Sequence, residues 1–270
     1  GMHEALDVRL DEAEKNKLGY VEFLTLLVED EIARRATRTL ASRIEKARFE
    51  ERKTVEDFDF AFNPEIPQKK IRDLATCRYL DAGEGVLIYG PVGTGKTHIA
   101  QALGHAACRR GYAVRFVKTE RLLGDLGGGH ADGTCDARVR RYLAPDLLIL
   151  DDFLMRALTP LQGDDLYELI GERIGRGSTI ITSNRGPKDW YGLFPNPVVA
   201  ESLLDRIINA SHHVVMKGKS HRPEHRPDKR SGEAASIAEQ NELTAKASAA
   251  PEEPAKKRLE LRRKRMRRSR

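Results

Sequence analysis

The sequence predicts an α/β fold: a parallel sheet with helices on both faces. Three observations carry that expectation. From residue 85 onward, short apolar-rich segments alternate with helix-length amphipathic ones. The segment at 147–150 is apolar throughout, without the alternation of a strand that has one wet face. A glycine-rich turn joins the first apolar segment directly to a helix that opens at Lys96.

Taken in order, residues 2–17 place Met2, Leu6, Leu10 and Ala13 at helical spacing, and Gly19 reads as a stop. A second helix runs from Tyr20 towards Glu51 on a stripe that includes Phe23, Leu27, Ile32, Ala36, Leu40, Ile44 and Ala47. Arg34, Arg35, Arg38 and Lys46 fall opposite the Leu40 line. That basic ridge is either a solvated face or a surface for DNA or a partner. Residues 54–64 form a linker whose Phe58, Phe60 and Phe62 have to lie against the next domain. Residues 66–80 read as helix. Strands are expected at 86–89, 113–117, 147–150, 178–182 and 212–216, with a helix at 96–110. Residues 217–270 contain only five larger apolar side chains, too few to offset the entropy of ordering. The expected division is therefore a helical domain at 1–53, the linker at 54–64, the sheet domain at 65–216 and a mostly disordered tail at 217–270.

Composition excludes several classes. Hydrophobic residues at 40% with 33% charged fit a soluble globular protein, and no apolar run approaches membrane-span length. No signal-peptide pattern opens the chain, so no membrane association and a cytoplasmic location are expected. Cys77, Cys108 and Cys135 form no CxxC pair, which argues against a disulfide framework. No Cys–His dyad is evident, and the histidines at 212, 213, 221 and 225 read as a coincidence of exposed residues. The net charge of +6 is uneven. Residues 256–270 hold ten basic side chains and one acid, a net of +9, so the remainder sums to −3. A basic end is attached to a mildly acidic body.

The chemistry starts at the glycine turn. Gly90, Pro91, Val92, Gly93, Thr94, Gly95, Lys96 and Thr97 fit G-x-x-x-x-G-K-[ST], between a strand and a helix as the motif requires. Glycines let backbone N–H groups curl round phosphates, Lys96 reaches the outer phosphates and Thr97 can hold Mg2+. A nucleoside triphosphate, ATP, is the expected ligand. Asp151 ends the apolar strand 147–150, placed to bind Mg2+, and Asp152 is the candidate base or positioner of the attacking water. Asn184, after strand 178–182, could orient that water. Arg206 is either a surface residue or an arginine supplied across a subunit boundary to the transferred phosphoryl group.

With these elements in place, residues 1–222 resemble the IstB-like transposase helper ATPases, relatives of the DnaC-type helicase loaders in the AAA+ class. The resemblance rests on residues 23–35, 55–60, 90–97, 146–153, 178–185, 189–194, 204–206 and 218–222. It implies an AAA+ P-loop NTPase fold, ATP-dependent homo-oligomers, binding to double-stranded DNA and assistance to an integrase-type transposase. Within it Arg206 looks like the arginine finger and Arg222 like a second sensor arginine. Two departures stand out: Leu154 occupies a position where relatives carry Gly, and Asp152 is one methylene shorter than the usual Glu. Two further readings stay open, a replicative helicase loader and a nucleotide-gated DNA-binding scaffold whose hydrolysis is incidental.

Overall fold

A computed structural model describes residues 2–221, with side chains from residue 5 onward. Helix α1 (Met2–Asn16) pairs with the long α2 (Tyr20–Ala47). Helices α3 (Gln68–Leu74) and α4 (Arg78–Asp81) lead into β1 (Gly85–Tyr89). There follow α5 (Lys96–Arg109), β2 (Val114–Lys118), α6 (Thr119–Asp132), α7 (Cys135–Leu143) and β3 (Leu147–Asp151). After α8 (Pro160–Arg173) and β4 (Ser178–Ser183), two short 3-10 turns precede α9 (Pro197–Asn209) and β5 (Ser211–Val215).

The five strands lie in the order β2-β3-β4-β1-β5, all parallel. Val86 and Ile88 of β1 enter one core with Ile99, Leu103 and Ala107 of α5, and with Ala47 and Ile71. Leu87 between them enters the other, with Leu122, Leu126, Leu166, Leu203 and Trp190. Strand periodicity thus divides β1 between two helical layers. Each fully buried leucine or isoleucine contributes about 1.5–3 kcal/mol.

Local chemistry sets the boundaries. Thr159 caps α8 by accepting from Gln162 N–H at 3.3 Å, while Gln162 accepts from Thr159 N–H at 3.1 Å. Asn196 caps α9 by accepting from the Val198 and Val199 N–H groups at 3.0 and 3.4 Å, with Pro197 as the first residue of the helix. Two expectations are corrected. Helix α2 ends at Ala47, short of Glu51, because Arg48 turns left-handed at φ 58°. The single helix expected over 66–80 is broken in two by Cys77, left-handed at φ 62°.

Buried Arg173 staples the loop before β3 to β4. Its guanidinium donates to the carbonyls of Tyr142, Leu143, Pro145 and Ser178 at 2.7–3.1 Å, and burial lowers its pKa to about 10. The described chain up to Ser220 forms one compact unit. The far end of that unit is held by the linker. Asn63, 6% exposed, donates to the Lys219 carbonyl and accepts from its N–H, both at 2.9 Å.

Candidate functional site

The site lies at the carboxyl ends of β1, β3 and β4, where an open parallel sheet presents its loops. Residues 90–95 leave β1 and fold into a loop that ends on the first turn of α5. Gly93 and Gly95 hold φ values of 82° and 90°, and neither position has space for a side chain. A Cβ on Gly93 would stand 2.0 Å from Ser220 Oγ, and one on Gly95 would stand 2.5 Å from the Phe58 ring. The loop is thus braced by the linker on one side and by the segment after β5 on the other.

Lys96 is 6% exposed, and its ammonium donates to the carbonyls of Gly90 at 2.9 Å and Pro91 at 2.7 Å. Thr94 closes the loop by donating to Pro91 O at 2.9 Å. A buried cation that reaches back across a loop of N–H groups at a helix N-terminus fits an anionic ligand. Pro91 and Val92 are exposed at the rim.

Asp151 is 1% exposed, and its Oδ1 accepts from Thr97 Oγ1 at 2.9 Å and from Thr182 Oγ1 at 2.6 Å. Thr119 donates to the Asp151 carbonyl at 3.0 Å. Burial pushes the Asp151 carboxyl above its ordinary pKa, opposed by the two hydroxyl bonds. A divalent cation beside Thr97 and Asp151 would relieve that penalty, so the donor set fits Mg2+.

Asp152 sits half-buried in the left-handed region at φ 54°. Its N–H donates to Thr182 Oγ1 at 3.0 Å, and Phe153 N–H donates to Thr182 O at 2.8 Å. Its carboxylate has no hydrogen-bond partner among the described residues. A non-glycine residue in this conformation costs on the order of 1–3 kcal/mol, sustained here because Thr182 and the buried Phe153–Trp190 ring pair determine the turn. Leu154, where relatives were expected to carry Gly, is likewise left-handed at φ 52°.

The structure therefore links Thr97, Asp151 and the Asp152 backbone through Thr182, while Lys96 is bonded to the glycine loop itself. Thr182 is the member that sequence reasoning missed, although a buried β-strand ending in hydroxyls pointed to it. Asn184 is half-buried and donates from Nδ2 to Met155 Sδ at 3.4 Å, not to any member of the cluster. Arg206 is exposed on α9 and has no side-chain partner among the described residues. Arg222 lies outside the described residues, as does the basic run 256–270.

Beside the loop, Val55, Phe58, Phe60, Gln68, Arg72 and Ala75 line a cavity of about 490 Å³. On the basic ridge, Arg34 and Arg35 both bind Glu31, at 2.9 and 2.7 Å, and hold its carboxyl down at about 2. Arg38 and Lys46 are exposed without ion-pair partners among the described residues.

Residues 1–229 match the model of the family described as IstB-like ATP binding protein. The chain is 58% identical over 228 residues to an insertion-sequence ATP-binding protein of Mycobacterium tuberculosis, covering 84% of this chain and 91% of that one. It is 34% identical over 213 residues to the IS21 ATP-binding protein of Pseudomonas aeruginosa, covering 79% and 80% of the two chains. Among solved structures, DnaA from Aquifex aeolicus bound to AMPPCP superposes with a TM-score of 0.54 at 22% identity, over 66% of this chain and 54% of that one. A DnaC helicase loader gives 0.50 at 24% identity, over 56% and 88%. These likenesses bear on the fold alone.

Proposed function

The chain belongs to the IstB-like ATP-binding protein family, and from that premise we propose that it hydrolyses ATP as a DNA-bound helper of a transposase. The observation that carries the reading is the cluster in which buried Asp151 takes hydroxyls from both Thr97 and Thr182 beneath a glycine loop. The N–H groups of the loop and Lys96 would hold the phosphates, Thr97 and Asp151 the Mg2+. The cavity beside Phe58 is proposed for the purine base. Bound Mg2+ supplies charge neutralisation at the β- and γ-phosphate oxygens. The unpaired Asp152 carboxylate, fixed in a strained turn, would orient the attacking water, and Asn184 would turn from Met155 to assist.

An exposed arginine without a side-chain partner among the described residues fits a role in trans, so Arg206 is assigned to the neighbouring subunit's phosphoryl group in a homo-oligomer. Double-stranded DNA is proposed to lie along the ridge, chiefly at Arg38 and Lys46, since Glu31 already engages Arg34 and Arg35. The names of the relatives place them in insertion sequences, which supports an integrase-type transposase as partner. Turnover measured with and without duplex DNA tests the reading. Stimulation by DNA, abolished by Asp152→Ala, is expected. If Asp152→Ala loses hydrolysis yet still supports assembly and transposition, the catalytic reading is wrong and ATP gates a scaffold.

A further inference from the structure

A second cluster lies in the layer of α6, α7 and α8, and the nucleotide chemistry makes no use of it. His130 stands in the last turn of α6, Cys135 opens α7 and Asp165 projects from α8. Their ligand-type atoms all lie within 4.8 Å of one another. His130 Nε2 is 2.7 Å from Asp165 Oδ1 and 3.5 Å from Cys135 Sγ. Asp165 is 7% exposed, and its second oxygen, Oδ2, is buried without a hydrogen-bond partner. Such an atom carries the full cost of desolvation unless something positive meets it.

The geometry distinguishes between two uses of these residues. In a nucleophilic triad the base contacts its carboxylate through one ring nitrogen and its nucleophile through the other. Here both contacts converge on the same nitrogen, Nε2, so three donor atoms surround one point in space. We propose that His130, Cys135 and Asp165 bind a divalent, borderline-soft cation, Zn2+, through Nε2, a thiolate sulfur and a carboxylate oxygen. The Cys135 thiol releases its proton to solvent as the sulfur–metal bond forms, and His130 coordinates as neutral imidazole. A fourth position remains for water.

Distances and charge agree with this assignment. Tetrahedral zinc at its usual bond lengths separates nitrogen from oxygen by about 3.3 Å and nitrogen from sulfur by about 3.6 Å. The nitrogen–sulfur separation is already close to that, and the nitrogen–oxygen pair has to open by only a fraction of an ångström. Asp136 and Glu168 add negative charge around the Cys135 sulfur. The Arg138 guanidinium, which acts on the Cys135 sulfur through its charge, is bonded to Asp125 at 3.0 Å and Asp132 at 2.5 Å.

The turn that brings the ligands together is fixed in advance. Thr134 N–H donates to Gly129 O at 2.9 Å and to Asp132 Oδ1 at 3.0 Å, and Arg138 Nε donates to Thr134 Oγ1 at 2.9 Å. A Cβ on Gly129 would stand 2.8 Å from the Cys135 Cα, so the close approach of α6 and α7 requires glycine there. A rigid turn of this kind lowers the cost of assembling ligands. The cation would join α8 to the α6–α7 corner.

Chelator-stripped full-length protein titrated with Zn2+, then with Co2+, tests the site. One tight equivalent is expected, with a thiolate-to-Co2+ charge-transfer band in the near ultraviolet. Cys135→Ser should abolish the band. His130→Ala should weaken binding by more than the roughly 10–100-fold that follows loss of an outer-shell partner. Both side chains reach solvent, so circular dichroism should stay unchanged. Zn2+ should also slow alkylation of Cys135, since the other two cysteines are buried. No stoichiometric uptake by the wild type would overturn the proposal. So would a tight equivalent that survives when Cys135→Ser and His130→Ala are combined, because the metal would then reside on other histidines.

Discussion

The sheet edge and the N-terminal arm depart from the usual distribution of polarity in opposite directions. At the edge polar groups are buried: Lys96, Asp151, Thr119, Thr182 and Ser183 are all at most 6% exposed. In the arm apolar groups are exposed: Tyr20 is 91%, Val21 77%, Leu24 57% and Ile32 62% accessible. One helix joins the arm to the core. The second half of α2 sends Leu40, Ile44 and Ala47 into the core beside α5, while its first half is packed by α1. A buried polar group is costly unless bonded, and at the edge each is bonded. Lys96 bonds to the Gly90 and Pro91 carbonyls, Asp151 to Thr97 and Thr182, Thr119 to the Asp151 carbonyl and Ser183 to the Phe153 carbonyl. The edge should therefore respond to single substitutions with large functional losses, and the arm should not.

The largest effect is expected at Lys96. Replacing it with Ala removes the only buried ammonium of the loop, and ATP turnover should fall by roughly 10²–10³-fold, the range for losing one preorganised charge donor. Asp151→Asn should also suppress turnover, yet raise the melting temperature of the nucleotide-free protein. Its carboxyl is held above its ordinary pKa by burial, so a neutral amide that still accepts from Thr97 and Thr182 removes a penalty. A lower melting temperature would show that the carboxylate is a structural asset. Mixing Lys96→Ala with Arg206→Ala protein should restore part of the turnover, and absence of rescue at any ratio would count against a finger acting in trans.

An intermediate effect is expected in the arm, and it sharpens the contrast. Leu27 is 5% exposed in α2 and belongs to neither sheet core. Leu27→Asp buries an unpaired charge between α1 and α2 and should separate them, seen as faster amide exchange over residues 5–30. ATP affinity, remote from that contact, should change by less than about twofold. A larger change would mean that the arm and the edge are coupled.

The sheet was legible because its strands are short and apolar, and the glycine loop because its spacing has few alternative explanations. Helix α6 was not, since Gly124, Gly127, Gly128 and Gly129 are poor helix formers. Leu122, Leu123 and Leu126 nevertheless bury themselves in the core and impose the helix. The His130–Cys135 contact was missed for the same reason, because it exists only once α6 stops at the left-handed Gly133 and α7 turns back. Thr182 was passed over in favour of Asn184 because sequence shows where a strand ends, but not which of its last side chains points inward. The three linker phenylalanines were expected against the sheet domain. Phe58 and Phe60 are found packed against its core, and Phe58 lies on the loop itself, with its ring 5.2 Å from that of His98.

That linker suggests the smallest effect, and the one that probes how the edge is joined to the arm. His98, Gln101 and His105 form a polar seam along α5. His98 Nε2 donates to Thr54 O at 3.0 Å, His105 Nε2 donates to Glu51 O at 3.4 Å, and Gln101 Oε1 accepts from Glu51 N–H at 2.9 Å. Burial lowers the pKa of both histidines, although their carbonyl partners favour the charged form. In the unfolded chain they titrate near 6.5. As pH falls below that value the unfolded state takes up protons that the folded state refuses, so stability is retained above it and lost below it. Between about pH 7.5 and about pH 5.5 the melting temperature should fall, and His98→Gln with His105→Gln should flatten the decline. If the double variant declines as steeply as the wild type, the acid sensitivity arises elsewhere. The seam would then be a passive contact, not a pH-dependent joint between linker and nucleotide loop.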